Sequence, residues 1–255
     1  MKSRLFVLSL SLLIVGAGAR PVCAKSAGEY AGDLKDYVLS PLHWDEADWR
    51  WAGASAVGIA ASYTLDNKVR DHFAKGASLT ASDPHSTRDA APLAVLLVGG
   101  FALGKLSADK KLSNLGIDMG EAVVLSTLSA SAFKAIAGRQ RPNKSASHSR
   151  FGSGGDSFPS GHVTAVFAAA QVFADRMPRE DWGWRALAYG LAGATAYMRL
   201  DGNVHWFSDT IAGAALGIAS GRFVAGRDRD PQSRVAYSVV PMDHGALLSF
   251  NVRLE

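Results

Sequence analysis

The chain has 255 residues, of which 48% are hydrophobic and 20% charged, with a formal net charge of +4 and one cysteine. A single cysteine rules out an internal disulfide, and the modest charge leaves no nucleic-acid footprint. The length suffices for one sizeable core.

In chain order, Lys2 and Arg4 make a basic start, residues 5–15 an apolar run, and small residues follow. This is the pattern of a secretory signal peptide, with cleavage expected after Ala19 or Ala24. Residues 1–24 are therefore expected to be removed and the protein exported to the periplasm. The apolar run is short for a retained anchor. Arg20-Pro21-Val22 ahead of Cys23 is not a small-residue lipobox, so a lipoprotein is not expected. Losing Lys2, Arg4 and Arg20 with the signal takes the net charge from +4 to +1, so the basic pI is partly a signal-peptide effect.

Ala/Gly-rich apolar segments follow. They predict helices over residues 49–65, 90–106, 115–137, 162–176, 182–199 and 205–224. Loops are expected at 78–86, 143–157 and 227–233. The Ser/Gly-rich loop 143–157 reads equally as a mobile rim over a site or as an ordinary surface loop. Residues 234–241 and 246–254 have strand character, and Asp243-His244-Gly245 supplies a turn between them. The expected fold is all-α: a bundle of about six core helices in one domain (25–233), with a short C-terminal β-hairpin (234–255).

Three short motifs lie among these helices. They are Lys134-x6-Arg141-Pro142, Pro159-Ser160-Gly161-His162 and Arg199-x5-His205-x3-Asp209. Lys134, Arg141 and Arg199 supply three cations for an anion; arginine forks match phosphate oxygens in pairs, and lysine adds a point charge. Pro142 is expected to end the helix that carries Lys134. Ser160 is placed to cap the next helix, so the N–H groups of Gly161 and His162 would point at a bound anion with the helix dipole behind them. Asp201-Gly202-Asn203 reads as a turn, with a helix from about Val204. His205 and Asp209, four residues apart, would then share one helix face. A carboxylate there can hold one ring nitrogen of the histidine and leave the other to attack. His162 could serve across the phosphate as general acid.

Each residue alone has a plainer reading. Lys134 and Arg139 read as cations at a helix C-terminus, worth up to ~1 kcal/mol. Ser160 reads as a simple cap. The His205–Asp209 pair reads as a local helix contact or half a metal site, although three nearby cations would repel a metal.

Taken together, in this order and among apolar helices, the motifs at 134–209 resemble the type 2 phosphatidic acid phosphatase superfamily. That group also holds bacterial class A acid phosphatases and vanadium haloperoxidases. The resemblance implies that His205 forms a phosphohistidine, Asp209 orients it and His162 protonates the leaving group. It implies phosphate binding by Lys134, Arg141, Ser160, Gly161 and Arg199, with no metal and no cofactor. One position departs from the pattern: the residue before Arg199 is usually Ser and here is Met198.

Membrane signals conflict. A spanning helix needs about 20 mostly apolar residues, and the charge-free runs 51–65 and 91–104 are shorter. Mean hydropathy is only +0.05, and Asp118 and Glu121 interrupt another helix. On the other side, six apolar segments must be hidden. Trp44, Trp49 and Trp51 resemble an interfacial belt with Asp45 and Glu46 in water, or else they pack between helices. Residues 200–217 look more like the membrane-associated branch of the superfamily. The expected protein is a phosphatase on a phosphorylated lipid, membrane-associated with its site facing the periplasm. The alternatives are a soluble class A-like acid phosphatase on small esters, a haloperoxidase, or a non-catalytic anion-binding helical membrane protein.

Overall fold

The computed structural model describes residues 27–76, 90–106, 112, 114–227, 235–242 and 245–252. The expected signal peptide with Cys23, the loop at 78–86, residues 228–233 and the Asp243-His244 turn lie outside them. Seven α-helices are described: α1 (Ala27–Leu39), α2 (Glu46–Gly76), α3 (Ala91–Leu106), α4 (Leu115–Ala137), α5 (Gly161–Arg176), α6 (Trp182–Asp201) and α7 (Phe207–Ala225). A 3-10 turn at Ser40–His43 links α1 to α2. The fold is all-α, as expected. Strands β1 (Val235–Met242) and β2 (Gly245–Val252) form the antiparallel hairpin, with Val235 opposite Val252 and Met242 opposite Gly245.

α5 is the central helix. It packs against α3, α4, α6 and α7 and buries residues on every side, from Val163 through Ala174. Residues 163–174 are Val, Ala, Phe and Thr except Gln171, whose amide bonds Asp175 and Tyr189 at 2.7 and 2.6 Å, so nothing in the buried stretch needs water. Its small residues also let α7 come close. A Cβ at Gly217 would stand 2.4 Å from the Thr164 carbonyl oxygen and one at Gly221 would stand 2.7 Å from that of Ala168. At Gly213 it would meet the Ser160 oxygen at 2.8 Å. The glycines at 213, 217 and 221 thus form a seam in which α7 lies backbone to backbone on α5.

Acidic residues inside the apolar helices are paired. Asp118 is buried and receives hydrogen bonds from Arg176 at 2.9 and 3.2 Å. Glu121 pairs with Arg227, which also contacts Asp33 of α1 at 2.6 Å. The charges therefore tie helix ends together rather than breaking α4. Among the described residues, no helix is long and apolar enough to cross a membrane.

α4 ends at Ala137, its expected bound, but the stop is Gly138 in the left-handed conformation (φ 53°), whose N–H returns to the Lys134 carbonyl, and not Pro142. Other boundaries differ from expectation. α2 runs eleven residues beyond the expected end at 65, to Gly76. The charged stretch after Leu65 continues the helix because Asp66 and Arg70 find partners in the rest of the molecule. α1 had no counterpart in the sequence reading. α7 begins at Phe207, so His205 lies ahead of the helix rather than on its face.

Candidate active site

Four chain segments meet at one end of the bundle: the exit of α4, the entry of α5, the exit of α6 and the entry of α7. The exit of α4 carries Lys134 in its last turn, then Arg139 and Arg141 on the chain after Gly138. The loop 143–157 is fastened back onto this exit. The N–H groups of Gly152, Ser153, Gly155 and Ser157 donate to carbonyls of Ala137, Gly138, Gly138 and Arg139 at 2.8–3.0 Å. Any side chain at Gly155 would collide with the Arg139 carbonyl, 2.2 Å from its Cβ position. This loop forms a wall of the site.

Arg141 is buried, and its fork grips Asp156 of that loop. Nε and Nη2 donate to the two carboxylate oxygens, both at 2.8 Å. Its Nη1 donates to the Val204 carbonyl at 3.2 Å and stands 3.4 Å from His205 Nε2. Lys134 Nζ donates to the backbone carbonyl of Asp156. The Arg141 guanidinium, against the cost of partial burial, holds the Asp156 carboxyl well below the usual range. Burial and the neighbouring Arg141 push Lys134 down to about 8, and Arg199 adds to the effect. Arg199, in the last turn of α6, is fully buried.

At the entry of α5, Ser160 occupies the N-cap position with extended backbone (φ −71°, ψ 112°) but its hydroxyl caps nothing. The Oγ is buried and has no hydrogen-bond partner among the described residues. Ser160 thus stands at the expected N-cap position, but the expected capping hydrogen bond from its hydroxyl is not made. A Cβ at Gly161 would meet only Lys134 Cε at 3.7 Å, so that position looks directly onto the cation cluster. His162 is the second residue of α5 and half-buried.

His205 and Asp209 meet by a route the i, i+4 spacing did not describe. Asp209 is the third residue of α7, and its Oδ2 accepts the Trp206 N–H at 2.9 Å. This capping contact folds the carboxylate back over the residues before the helix. Oδ2 then lies 3.5 Å from His205 Nδ1. Ser157 Oγ donates to the same oxygen at 2.5 Å and Arg139 Nη1 to Oδ1 at 2.5 Å. Burial pushes the His205 imidazole down to about 3; the Asp209 contact opposes this and the Arg141 and Lys134 charges add to it. Burial works against the Asp209 charge, but His205 and Arg139 outweigh it and hold the carboxyl below its ordinary range. A neutral imidazole and an ionised carboxylate result.

The sequence reading passed over the residues that build this support. Arg139 is fully buried, not a solvated helix-end cation. Its guanidinium donates to Asp66 Oδ2 at 2.6 Å, Ser208 Oγ at 2.8 Å and the His148 carbonyl at 2.7 and 2.9 Å. Rings of Tyr63, Phe151 and Trp206 enclose it at 4.8–5.4 Å. Asp66, from the middle of α2, also accepts from the Ser208 N–H at 2.8 Å and hydroxyl at 2.7 Å. Trp206 Nε1 donates to the Gln140 carbonyl at 2.8 Å. A second arginine just past a Gly helix stop was a local hint for Arg139. Asp66 carried none, being 142 positions from Ser208.

All eight sequence-predicted residues lie on these four segments. His205, Asp209, Arg141 and Lys134 are joined by the contacts above, and Arg199 acts on Lys134 through its charge. Among the described residues, no group of three or more His, Cys, Asp or Glu is placed to hold a metal ion.

Comparison with known proteins points the same way as the motifs. Residues 115–229 match the model of the PAP2 superfamily, so the resemblance read from the motifs holds over this segment. A lipid A 1-phosphatase of Porphyromonas gingivalis is 29% identical over 168 residues, covering 64% of this chain and 35% of that protein. The chain thus spans about a third of the length of that relative. A solved structure, a transmembrane PAP2 type phosphatidylglycerolphosphate phosphatase from Bacillus subtilis, aligns over 77% of this chain and 94% of its own. Its identity is 16% and its TM-score 0.36.

Proposed function

We propose that this chain, with its PAP2 superfamily segment at 115–229, is a metal-independent phosphatase that acts through a phosphohistidine on His205. The observation that carries the reading is the His205 imidazole itself: buried, neutral, with Asp209 behind Nδ1 and Arg141 beside Nε2. A histidine that only bridged helices would not need a cation cluster at its open nitrogen.

The phosphoryl oxygens are bound by Lys134, Arg141, Arg199, Ser160 Oγ and the N–H groups of Gly161 and His162. The lone pair of Nε2 forms the N–P bond while the P–O ester bond breaks. The leaving oxygen takes the bonding pair and a proton from His162. Asp209 holds the resulting imidazolium through Nδ1–H. Water then attacks phosphorus, giving a proton to His162. The N–P bond breaks, its electron pair returns to Nε2, and phosphate leaves. Catalysis here is mainly positioning and charge stabilisation, as phosphoryl transfer requires.

A phosphorylated lipid is the substrate class we favour, at an exported protein associated with the membrane and acting on its periplasmic side. The relative's activity on lipid A supports this. So does apolar surface at the ends of the helices that reach it: Ile136 of α4 is 80% exposed and Tyr197 of α6 is 59% exposed.

His205→Ala is expected to lower turnover at least ~1,000-fold while the fold survives. Base-quenched wild-type enzyme should retain phosphate on His205. Phosphate release should be followed side by side from phosphatidic acid, isoprenyl pyrophosphate and p-nitrophenyl phosphate with EDTA present. Normal turnover by His205→Ala overturns the mechanism. EDTA inhibition reversed by a divalent ion would make His205 and Asp209 metal ligands instead. Equal rates on lipid and small ester would move the substrate assignment to small phosphomonoesters.

A further inference from the structure

Asp66 lies on α2, outside the segment 115–229 that matches the superfamily model. It is nevertheless buried against the support of the proposed nucleophile, with 1% exposure. We propose that Asp66 is a positioning residue for the phosphoryl-transfer step, acting on His205 through Arg139 and Asp209. The proposal rests on the phosphohistidine reading above.

The reasoning is electrostatic. Arg139 bridges two buried carboxylates: Nη2 to Asp66 at 2.6 Å and Nη1 to Asp209 at 2.5 Å, with side-chain exposure of 0% at Arg139, Asp66 and Asp209 alike. The three groups together carry one net negative charge. His205 is neutral at rest and becomes cationic when Nε2 bonds to phosphorus. With Asp66 present, that change takes the buried unit from −1 to neutral. Without it, Arg139 would cancel Asp209 outright, and the imidazolium would form against an already neutral pair. Charge buried in low dielectric is costly unless offset close by. Asp66 therefore draws part of the Arg139 charge away from Asp209 and leaves that carboxylate able to stabilise the imidazolium. The cations on the substrate side, Lys134, Arg141 and Arg199, are offset by the phosphate and, at Arg141, by Asp156, and do not replace this function.

The contacts of Asp66 are specific enough for the role. Both oxygens are engaged, Oδ1 by the Ser208 N–H and Oδ2 by Ser208 Oγ and Arg139. Ser208 Oγ in turn accepts from Arg139 Nη1 at 2.8 Å. Asp66 thereby pins the first turn of α7, the turn that carries Asp209, to a helix more than a hundred positions away.

The test uses Asp66→Asn in the full chain. The amide keeps the volume, removes the charge and turns a donor toward Arg139 or the Ser208 N–H. The expected kcat falls roughly 10- to 100-fold, the scale of lost outer-layer support in metal sites, while KM and tungstate affinity stay within about twofold. Should Asp66→Asn fail to fold, Arg139→Lys keeps the cation but not the fork that spans both carboxylates, and should lower kcat in the same selective way. An unchanged kcat overturns the proposal. So does a parallel loss of kcat and tungstate affinity. Absence of phosphohistidine in the wild type would instead sink the underlying reading, so the two failures are separable.

Discussion

His205 and Lys134 share one cluster and are pushed the same way, toward neutrality, with opposite consequences. For His205 neutrality means a free lone pair. For Lys134, held down to about 8, it means losing the grip on an anion. The basic limb of anion binding therefore belongs to Lys134. Tungstate affinity should fall as pH rises through about 8, because the bound anion favours the protonated amine and linkage weakens binding once the free enzyme has lost that proton. Lys134→Arg should hold affinity flat to higher pH. An identical decline in both proteins would assign the limb elsewhere. His205 also bears on stability. Between its unfolded value of about 6.5 and its folded value of about 3, the unfolded chain takes up a proton that the folded chain refuses. Stability should rise with pH across that window and be lost on the way down. Melting temperatures of His205→Asn should decline less steeply than those of wild type between pH 6 and 4. Asp209→Asn should lower kcat by ~100-fold or more with little change in KM, since its charge matters most once the imidazolium forms. The motif residues were legible because short, local spacings carry them. Arg139, Asp156 and Ser157 sat in plain view near the motifs but draw their meaning from partners that the sequence does not place beside them.

At the scale of elements, α5 and α7 begin at the same end of the bundle. The first N–H groups of one and the capped turn of the other therefore face a common space. The glycines of the α7 seam keep this alignment. Gly217→Ala would drive a methyl group into the Thr164 carbonyl, 2.4 Å away, and within 2.9 Å of the Ala168 nitrogen. It should cost about 1–3 kcal/mol or more in urea unfolding and lower kcat by shifting Asp209 relative to α5. Gly190→Ala and Gly193→Ala on α6 meet nothing within 4 Å among the described residues. They should be neutral or stabilise by roughly 0.5–1 kcal/mol. If Gly217→Ala behaved like these two, the seam would not set the alignment. The helix spans themselves were largely readable from apolar periodicity, and α4 fell on its expected bounds. The start of α7 was not, because the order of turn, cap and helix around His205 depends on where the Asp209 carboxylate folds back. α2 was cut short in the reading because its charges looked solvated, whereas their partners lie on the wall loop and on α7.

For the whole molecule, the surface poses the remaining question. Leu42, Val57, Val98, Leu106, Ile136 and Trp182 all expose more than two-thirds of their area, yet no described helix is long and apolar enough to cross a bilayer. If the protein is held by the membrane as proposed, the mature chain should stay in the membrane fraction through high-salt and carbonate washes, and its rate should rise when substrate is presented in bilayers. Full recovery in the soluble periplasmic fraction would refute that placement while leaving the site untouched. The architecture was legible as an all-α bundle with a terminal hairpin. Its depth of packing was not, because the sequence does not say which helix the others surround. That packing has a consequence for how the protein moves. Backbone laid directly on backbone has no rotamers to absorb a fluctuation, so the α5–α7 seam cannot open by side-chain adjustment. The amide protons of α5 and of the inner face of α7 should exchange with solvent only through global unfolding, whereas those of the more exposed α1 and α3 exchange through local opening. The separation between the proposed acid and nucleophile is then protected by the slowest motion the molecule has.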